Sequence, residues 1–307
     1  EDTGFFYLRD HGCDAIIAEA EEGMRTFFKL PVEAKQEVVY GRSTVWPPSS
    51  RGWQTREWLD PSRKGRGDTK ESFQMGYDGP QGSPPESTPF LGPNLWPEAQ
   101  PELQRQLGGI FASLHDVSLE LCRAFAFSLG SEDMDVFARE CSGNSMTMAR
   151  ALYYPVEEWS PEDQGCSAHT DYGVLSLLHQ TGPGLQVLRA DGSEWLEVPP
   201  VPGCLVCNIA DLMERWTNGR YVSSVHRVIT PAGAQERHCF GFFLDAKYET
   251  VVDPLPECVV DGSVAKYPPI VAGEHKVSKT RVQYGADVDD APELFARTYL
   301  SAQGRAP

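Results

Sequence analysis

Apolar residues in the stretch CDAIIAEAEEGMRTFFKLP fall at Ile16, Ile17, Ala20, Met24, Phe27 and Phe28, steps of three and four that draw one stripe along a helix. Asp14 stands where it can cap the start, and Pro31 follows the end. The pattern predicts an amphipathic helix packed on something. The same period returns after Pro101, where Leu103, Leu107, Ile110, Leu114, Val117, Leu121 and Ala124 mark a longer helix whose middle is weakened by Gly108 and Gly109. Between the two, residues 41–97 are rich in Gly, Pro and Ser yet carry Trp46, Trp53, Trp58, Phe73 and Trp96, which reads as irregular chain anchored by aromatic rings.

From about residue 146 the period shortens. MTMARALYY, GVLSLLHQ, GLQVLRA, SEWLEV, GCLVCNIA, YVSSVHRVIT and RHCFGFFL are each of strand length and enriched in β-branched or aromatic residues. Asp191-Gly192 is a hairpin signal and Asn218-Gly219 another turn. Together they predict an antiparallel sandwich or barrel of roughly eight strands, an arrangement that hides strand edges. After KYPPIVAG come one or two helices and a polar tail. The expected layout is α+β and a single domain, 1–307, with a mainly helical region at 1–140 and a β core with a C-terminal helix at 141–307.

Composition narrows the class. The chain has 307 residues, 40% of them hydrophobic, which suffices for a packed core. A formal net charge of −17, unbroken by any Lys/Arg stripe, would repel a phosphate backbone, so no nucleic-acid partner is expected. Eight dispersed cysteines lack the density of a disulfide scaffold and suit a reducing, cytoplasmic setting. No apolar run approaches the ~20 residues of a membrane span. The sequence opens at Glu1 rather than methionine, which leaves room for an upstream segment.

Within the β region, His169 and Asp171 lie two apart, so on a strand they would share one face. His226 lies in a later strand of the same region. Two histidines and one carboxylate on one side of a metal, with the other positions open, describe the facial triad of non-haem Fe(II) oxygenases. The same set could hold Zn(II) with one open site. Arg237, eleven positions past His226, tilts the balance, because an arginine in an apolar strand is costly unless it meets an anion such as a carboxylate. An internal salt bridge is the plain alternative. Cys204 and Cys207 form a C-x-x-C without a second pair, and we read them as core residues. The charged loop SRKGRGDTK reads as solvated.

In order along the chain, GFFYLRDHG (4–12), FFKLPVEAKQEV (27–38), KESFQMG (70–76), LYYP (152–155), HTDYG (169–173), GLQV (184–187), NIADLMERWTNGRYVSSVHRV (208–228) and R-x-C (237–239) resemble the Fe(II)- and 2-oxoglutarate-dependent dioxygenases of the isopenicillin N synthase-like group. The resemblance covers nearly the whole chain. It implies a double-stranded β-helix (jelly roll) flanked by N-terminal and C-terminal helices. It assigns His169, Asp171 and His226 to Fe(II), Arg237 to the distal carboxylate of 2-oxoglutarate, and Tyr154 to a hydrogen bond with the same cosubstrate. Cys239 stands where the family usually has a serine that donates to that carboxylate, and a thiol is a weak donor. Leu152 replaces an asparagine common in plant members. Phe73, Tyr172, Leu188 and Phe243 match positions that line the substrate pocket. The implied activity is oxidation of a C–H bond in a small molecule, using O2 and 2-oxoglutarate with release of succinate and CO2, and with ascorbate as an optional reductant. An Fe(II) oxidase that dispenses with 2-oxoglutarate, or a silent binding protein on the same scaffold, are the alternatives.

Overall fold

The computed structural model of the protein describes residues 3–39, 51–55, 68–78, 90–156, 164–229, 235–259 and 263–283. Trp46, Trp58 and most of the SRKGRGDTK loop lie outside them. The N-terminal part runs β1 (Phe5–Arg9), α1 (Asp14–Phe28), α2 (Val32–Gln36), β2 (Gly52–Thr55), β3 (Glu71–Gly76), α3 (Glu102–Leu129) and α4 (Ala138–Cys141). Both long helices form where the apolar period places them. Asp14 is the first helical residue rather than the cap, a place where its charge favours the helix N-terminus. The longer helix runs unbroken through Gly108 and Gly109 and stops at Gly130, in the left-handed conformation at φ 77°.

The β region follows as β4 (Met148–Tyr154), β5 (Cys166–His169), β6 (Leu175–Gln180), β7 (Leu185–Leu188), β8 (Trp195–Glu197), β9 (Cys204–Ile209), α5 (Asp211–Trp216), β10 (His226–Val228), β11 (Arg237–Leu244), β12 (Val251–Val252), β13 (Ile270–Val271) and α6 (Ala272–Gln283). Seven strands form one sheet in the order β1-β9-β6-β11-β4-β3-β2, four form a second in the order β5-β10-β7-β8, and β12 pairs with β13. The pairings are antiparallel throughout these sheets. The two larger sheets are the halves of a jelly roll, and the fold is α+β.

Region 1–140 is less helical than its sequence implies, since β1, β2 and β3 come from it and extend the large sheet at both edges. Strand β3 carries Ser72 and Gln74 among its apolar residues, all of them buried, and so shows no clean alternation that would mark it as a strand. It is anchored from outside as well: Lys35 Nζ and Trp53 Nε1 both donate to Glu71 Oε2, at 2.7 and 2.8 Å.

Alternation along the large sheet sorts its side chains into two layers. Phe73, Ala149, Ala151, Phe240 and Phe242 pack with α1 and α3 in the main apolar core. Phe111 of α3, for example, meets the Phe242 ring edge-on at 5.3 Å between centroids. The intervening residues turn the other way, toward the small sheet, and there the two sheets enclose a cleft. Helix α6 closes one end of the barrel by charge: Lys276 Nζ lies 2.8 Å from Asp245 Oδ2, and Lys279 Nζ 2.7 Å from Asp211 Oδ2, all four side chains buried.

Candidate metal centre and cosubstrate pocket

His169 is the last residue of β5, and β10 sets His226 directly opposite it. Cross-strand partners point to the same side of a sheet, so both imidazoles enter the cleft. Asp171 is not on the strand. It lies in the turn toward β6, where its backbone carbonyl accepts from Asp211 N at 3.0 Å, which ties the turn to the start of α5. Gly173 in the same turn passes so close to β11 that a Cβ there would sit 2.4 Å from Leu244 O.

The three side chains are held by their outer atoms and leave their inner ones converging. His169 Nδ1 donates to Ser167 O at 2.7 Å and His226 Nδ1 to Ser224 O at 3.1 Å, which places the lone pair of each ring on Nε2. Asp171 Oδ2 accepts from Asn208 Nδ2 at 2.8 Å and from the Ser176 hydroxyl. Oδ1 is left 3.7 Å from each histidine Nε2. One ligand atom from each residue lies within 4.8 Å of the other two, and among the described residues this is the one such group of three. Burial alone would raise the Asp171 carboxyl, but His226, His169 and the two hydrogen bonds outweigh it and hold it below the ordinary carboxylate range. Burial, reinforced by the neighbouring His169 ring, brings the His226 imidazole down to about 4 against the pull of Asp171. An ionised carboxylate and a neutral imidazole are the states a divalent cation requires.

The cleft beside this centre has a cavity volume of about 130 Å³. Along its floor the inward residues of β4 and β11 pair in rows, Tyr154 with Arg237, Leu152 with Cys239, Arg150 with Gly241 and Met148 with Phe243. Arg237 is buried. Its Nε donates to Gly182 O at 3.1 Å, its Nη2 to Gln180 Oε1 at 2.9 Å, and its guanidinium lies 4.7 Å from the centroid of the Tyr154 ring. Nη1 is buried with no hydrogen-bond partner, and among the described residues no carboxylate pairs with this arginine. The internal salt bridge is therefore not its role. A buried guanidinium with an open donor is a receptor for an anion. Tyr154 and Cys239 face the same end, and burial pushes phenol and thiol both upward, so both stay neutral.

Of the four pocket positions, Tyr172 and Phe243 line the cleft. Phe73 and Leu188 do not, and strand parity explains both. Phe73 pairs with Ala151, whose face meets the helices, and its ring packs on Phe27 at 4.9 Å. On β7, Val187 shares the inward face with His226, so its neighbour Leu188 points outward, opposite Trp195. Arg150, Lys276 and Asp245 line the cleft without belonging to any motif, whereas Lys70, also on the lining, opens the KESFQMG segment. Gly241 shapes the floor, because a Cβ there would lie 2.9 Å from Phe243 Cζ; the ring folds back over the glycine. Cys207 is core as expected, whereas Cys204 is partly exposed.

Such a jelly roll, with three donors facing one point and an unsatisfied arginine further in, defines a non-haem Fe(II) oxygenase that takes an anionic cosubstrate. Comparison with known proteins agrees. Residues 144–246 match the family model described as the 2OG-Fe(II) oxygenase superfamily, and residues 1–99 the one described as non-haem dioxygenase in morphine synthesis N-terminal. A homoarginine-6-hydroxylase of Oryza sativa subsp. japonica is 32% identical over 92% of this chain and 86% of its own. One of Arabidopsis thaliana is 33% identical over the same shares. Among solved structures, a putative 2OG-Fe(II) oxygenase family protein from Caulobacter crescentus superposes with a TM-score of 0.79 at 30% identity, covering 92% of this chain and 90% of that one. A full-length Neurospora crassa protein in complex with alpha-KG and thymine gives 0.78 at 27%, covering 92% and 88%. The chain belongs to the 2OG-Fe(II) oxygenase superfamily. It is an enzyme that uses Fe(II), 2-oxoglutarate and O2.

Proposed function

We propose that His169, Asp171 and His226 hold the Fe(II), that Arg237 receives the distal carboxylate of 2-oxoglutarate with Tyr154 and Cys239 beside it, and that the reaction is hydroxylation of a small molecule seated between Tyr172 and Phe243. The observation that carries this reading is the buried, unpartnered Nη1 of Arg237, on the same cleft as the three converging donors. When bound, the iron supplies the power to oxidise a C–H bond with O2, as 2-oxoglutarate is converted to succinate and CO2. The protein's own part is positional. Ser167, Ser224, Ser176 and Asn208 aim the three ligands from behind. Arg237 fixes one end of the cosubstrate. The apolar walls Leu152, Leu178, Leu185 and Val228 keep water away from the reacting atoms.

At the other end of the cleft, Arg150, Lys276 and Asp245 stand near Phe243, which supports a substrate with a polar head and a flat or apolar body. Homoarginine and thymine, the molecules named with the relatives, head the panel to test by substrate-stimulated succinate release. A reducing compartment such as the cytosol fits the eight free thiols. The strands that region 1–140 contributes to the large sheet, and the apolar core it shares with 141–307, support one folding unit. The decisive test is Arg237→Leu. We expect the 2-oxoglutarate concentration for half-saturation to rise by about tenfold to a hundredfold, with Fe(II) affinity unchanged. Normal saturation would overturn the assignment.

A further inference from the structure

Lys70 immediately precedes β3. Glu71 pairs with Tyr153, so the next row of the ladder sets Lys70 opposite Tyr154, which is itself opposite Arg237. One row across three strands thus reads Lys70, Tyr154, Arg237, and all three side chains line the cleft. The Lys70 side chain is only 1% exposed. Its Nζ donates to Asp68 Oδ2 at 2.9 Å and stands 3.5 Å from Cys166 Sγ. Asp68 uses its other oxygen to accept from Ser167 N and Ser167 Oγ, at 3.0 and 2.6 Å. The ammonium is therefore held in place from the side of β5, on the cleft wall, at the Arg237 end.

We propose that Lys70 is a second cationic contact for the far carboxylate of the cosubstrate, placed across Tyr154 from Arg237. The inference rests on the reading of Arg237 given above. Two facts favour it over a purely structural clip between β3 and β5. A clip needs no access to the cleft, yet Lys70 lines it in one row with Tyr154 and Arg237. The thiol of Cys239 is moreover a weak donor to a carboxylate, and a buried anionic end gains most from charged donors. Lys70 supplies one from the adjacent strand.

The test is direct binding, without turnover. The Fe(II)-loaded protein is titrated anaerobically in a calorimeter with 2-oxoglutarate and with 2-oxopentanoate, which keeps the five-carbon 2-oxo acid and lacks the far carboxylate. The variants are Asp68→Asn, the double variant Asp68→Asn/Lys70→Met, which leaves no orphaned carboxylate, and Lys70→Arg. We expect the double variant to bind 2-oxoglutarate about tenfold to a hundredfold more weakly than wild type and 2-oxopentanoate within about twofold. Asp68→Asn and Lys70→Arg should keep the preference for 2-oxoglutarate. If the double variant does not fold, Lys70→Gln, which still hydrogen-bonds Asp68, carries the same expectation. A variant without the lysine charge that keeps the full preference, or that loses both acids equally, would overturn the role of Lys70 alone. A wild type that does not prefer 2-oxoglutarate would overturn the Arg237 reading and this one with it.

Discussion

Asn208 touches no position where a reactant would sit, yet its amide and the Ser176 hydroxyl decide which oxygen of Asp171 faces the histidines. Such outer hydrogen bonds set ligand orientation and commonly tune metal affinity. Asn208→Ala should lower Fe(II) affinity by about tenfold to a hundredfold while leaving 2-oxoglutarate saturation unchanged at full metal loading, which equilibrium dialysis and steady-state kinetics would separate. A second residue of interest is His238, buried beside the Tyr153 ring at 4.9 Å, with its Nδ1 lacking a partner. Burial, helped by nearby Arg25, brings its imidazole down from the ordinary value of 6.5 to about 4. Between those values the unfolded chain takes up a proton that the folded one refuses. The contribution of His238 to stability is thus intact above pH 6.5 and lost as pH falls toward 4. His238→Phe should flatten the acid limb of the melting temperature against pH over that window, and an unchanged limb would refute the assignment.

At the scale of elements, parity decides what a side chain can do. His169, Asp171, His226 and Arg237 stand out in the sequence because ligating and charged side chains are unusual in so apolar a region, although the strand face expected to join His169 and Asp171 is a strand end followed by a turn. Phe73 and Leu188 were misplaced because an aromatic or leucine fits either face of a sheet, and only the register with Ala151 and Trp195 tells which. Strands β1 and β3 escaped notice for a related reason: they join the large sheet through partners far along the chain, so their own residues carry little period. Lys70 opens the KESFQMG segment that the resemblance set beside the site, but the direction of its side chain follows only from the register of β3 with β4. The turn after β5 offers a test of this scale. Gly173→Ala would bring a Cβ against the fixed carbonyl of Leu244, and neither backbone can yield without moving Asp171. We expect destabilisation of about 1–3 kcal/mol together with weakened Fe(II) binding, read by denaturant unfolding and metal titration.

For the molecule as a whole, the metal position joins parts that the chain alone connects loosely. His169 and His226 belong to the small sheet, whereas the turn of Asp171 is tied to α5 and to the large sheet. A cation bound by all three stabilises only the folded state. At a hundred times its dissociation constant it should add about 2.7 kcal/mol to the free energy of unfolding, and His169→Ala should abolish that gain without changing the apo melting temperature by more than a few degrees. Thermal scans with and without Mn(II) would show it.

The pairing of β3 with β4 has a practical consequence for recombination among relatives. The segment 144–246 contains the three proposed iron donors and the arginine, and so looks like a portable catalytic cassette. Its floor, however, continues into a strand encoded some seventy residues earlier, and the row that ends the cleft is completed from there. Crossovers placed upstream of residue 68 would carry that strand along with its partner, whereas crossovers at 144 would splice two pocket halves shaped for different guests.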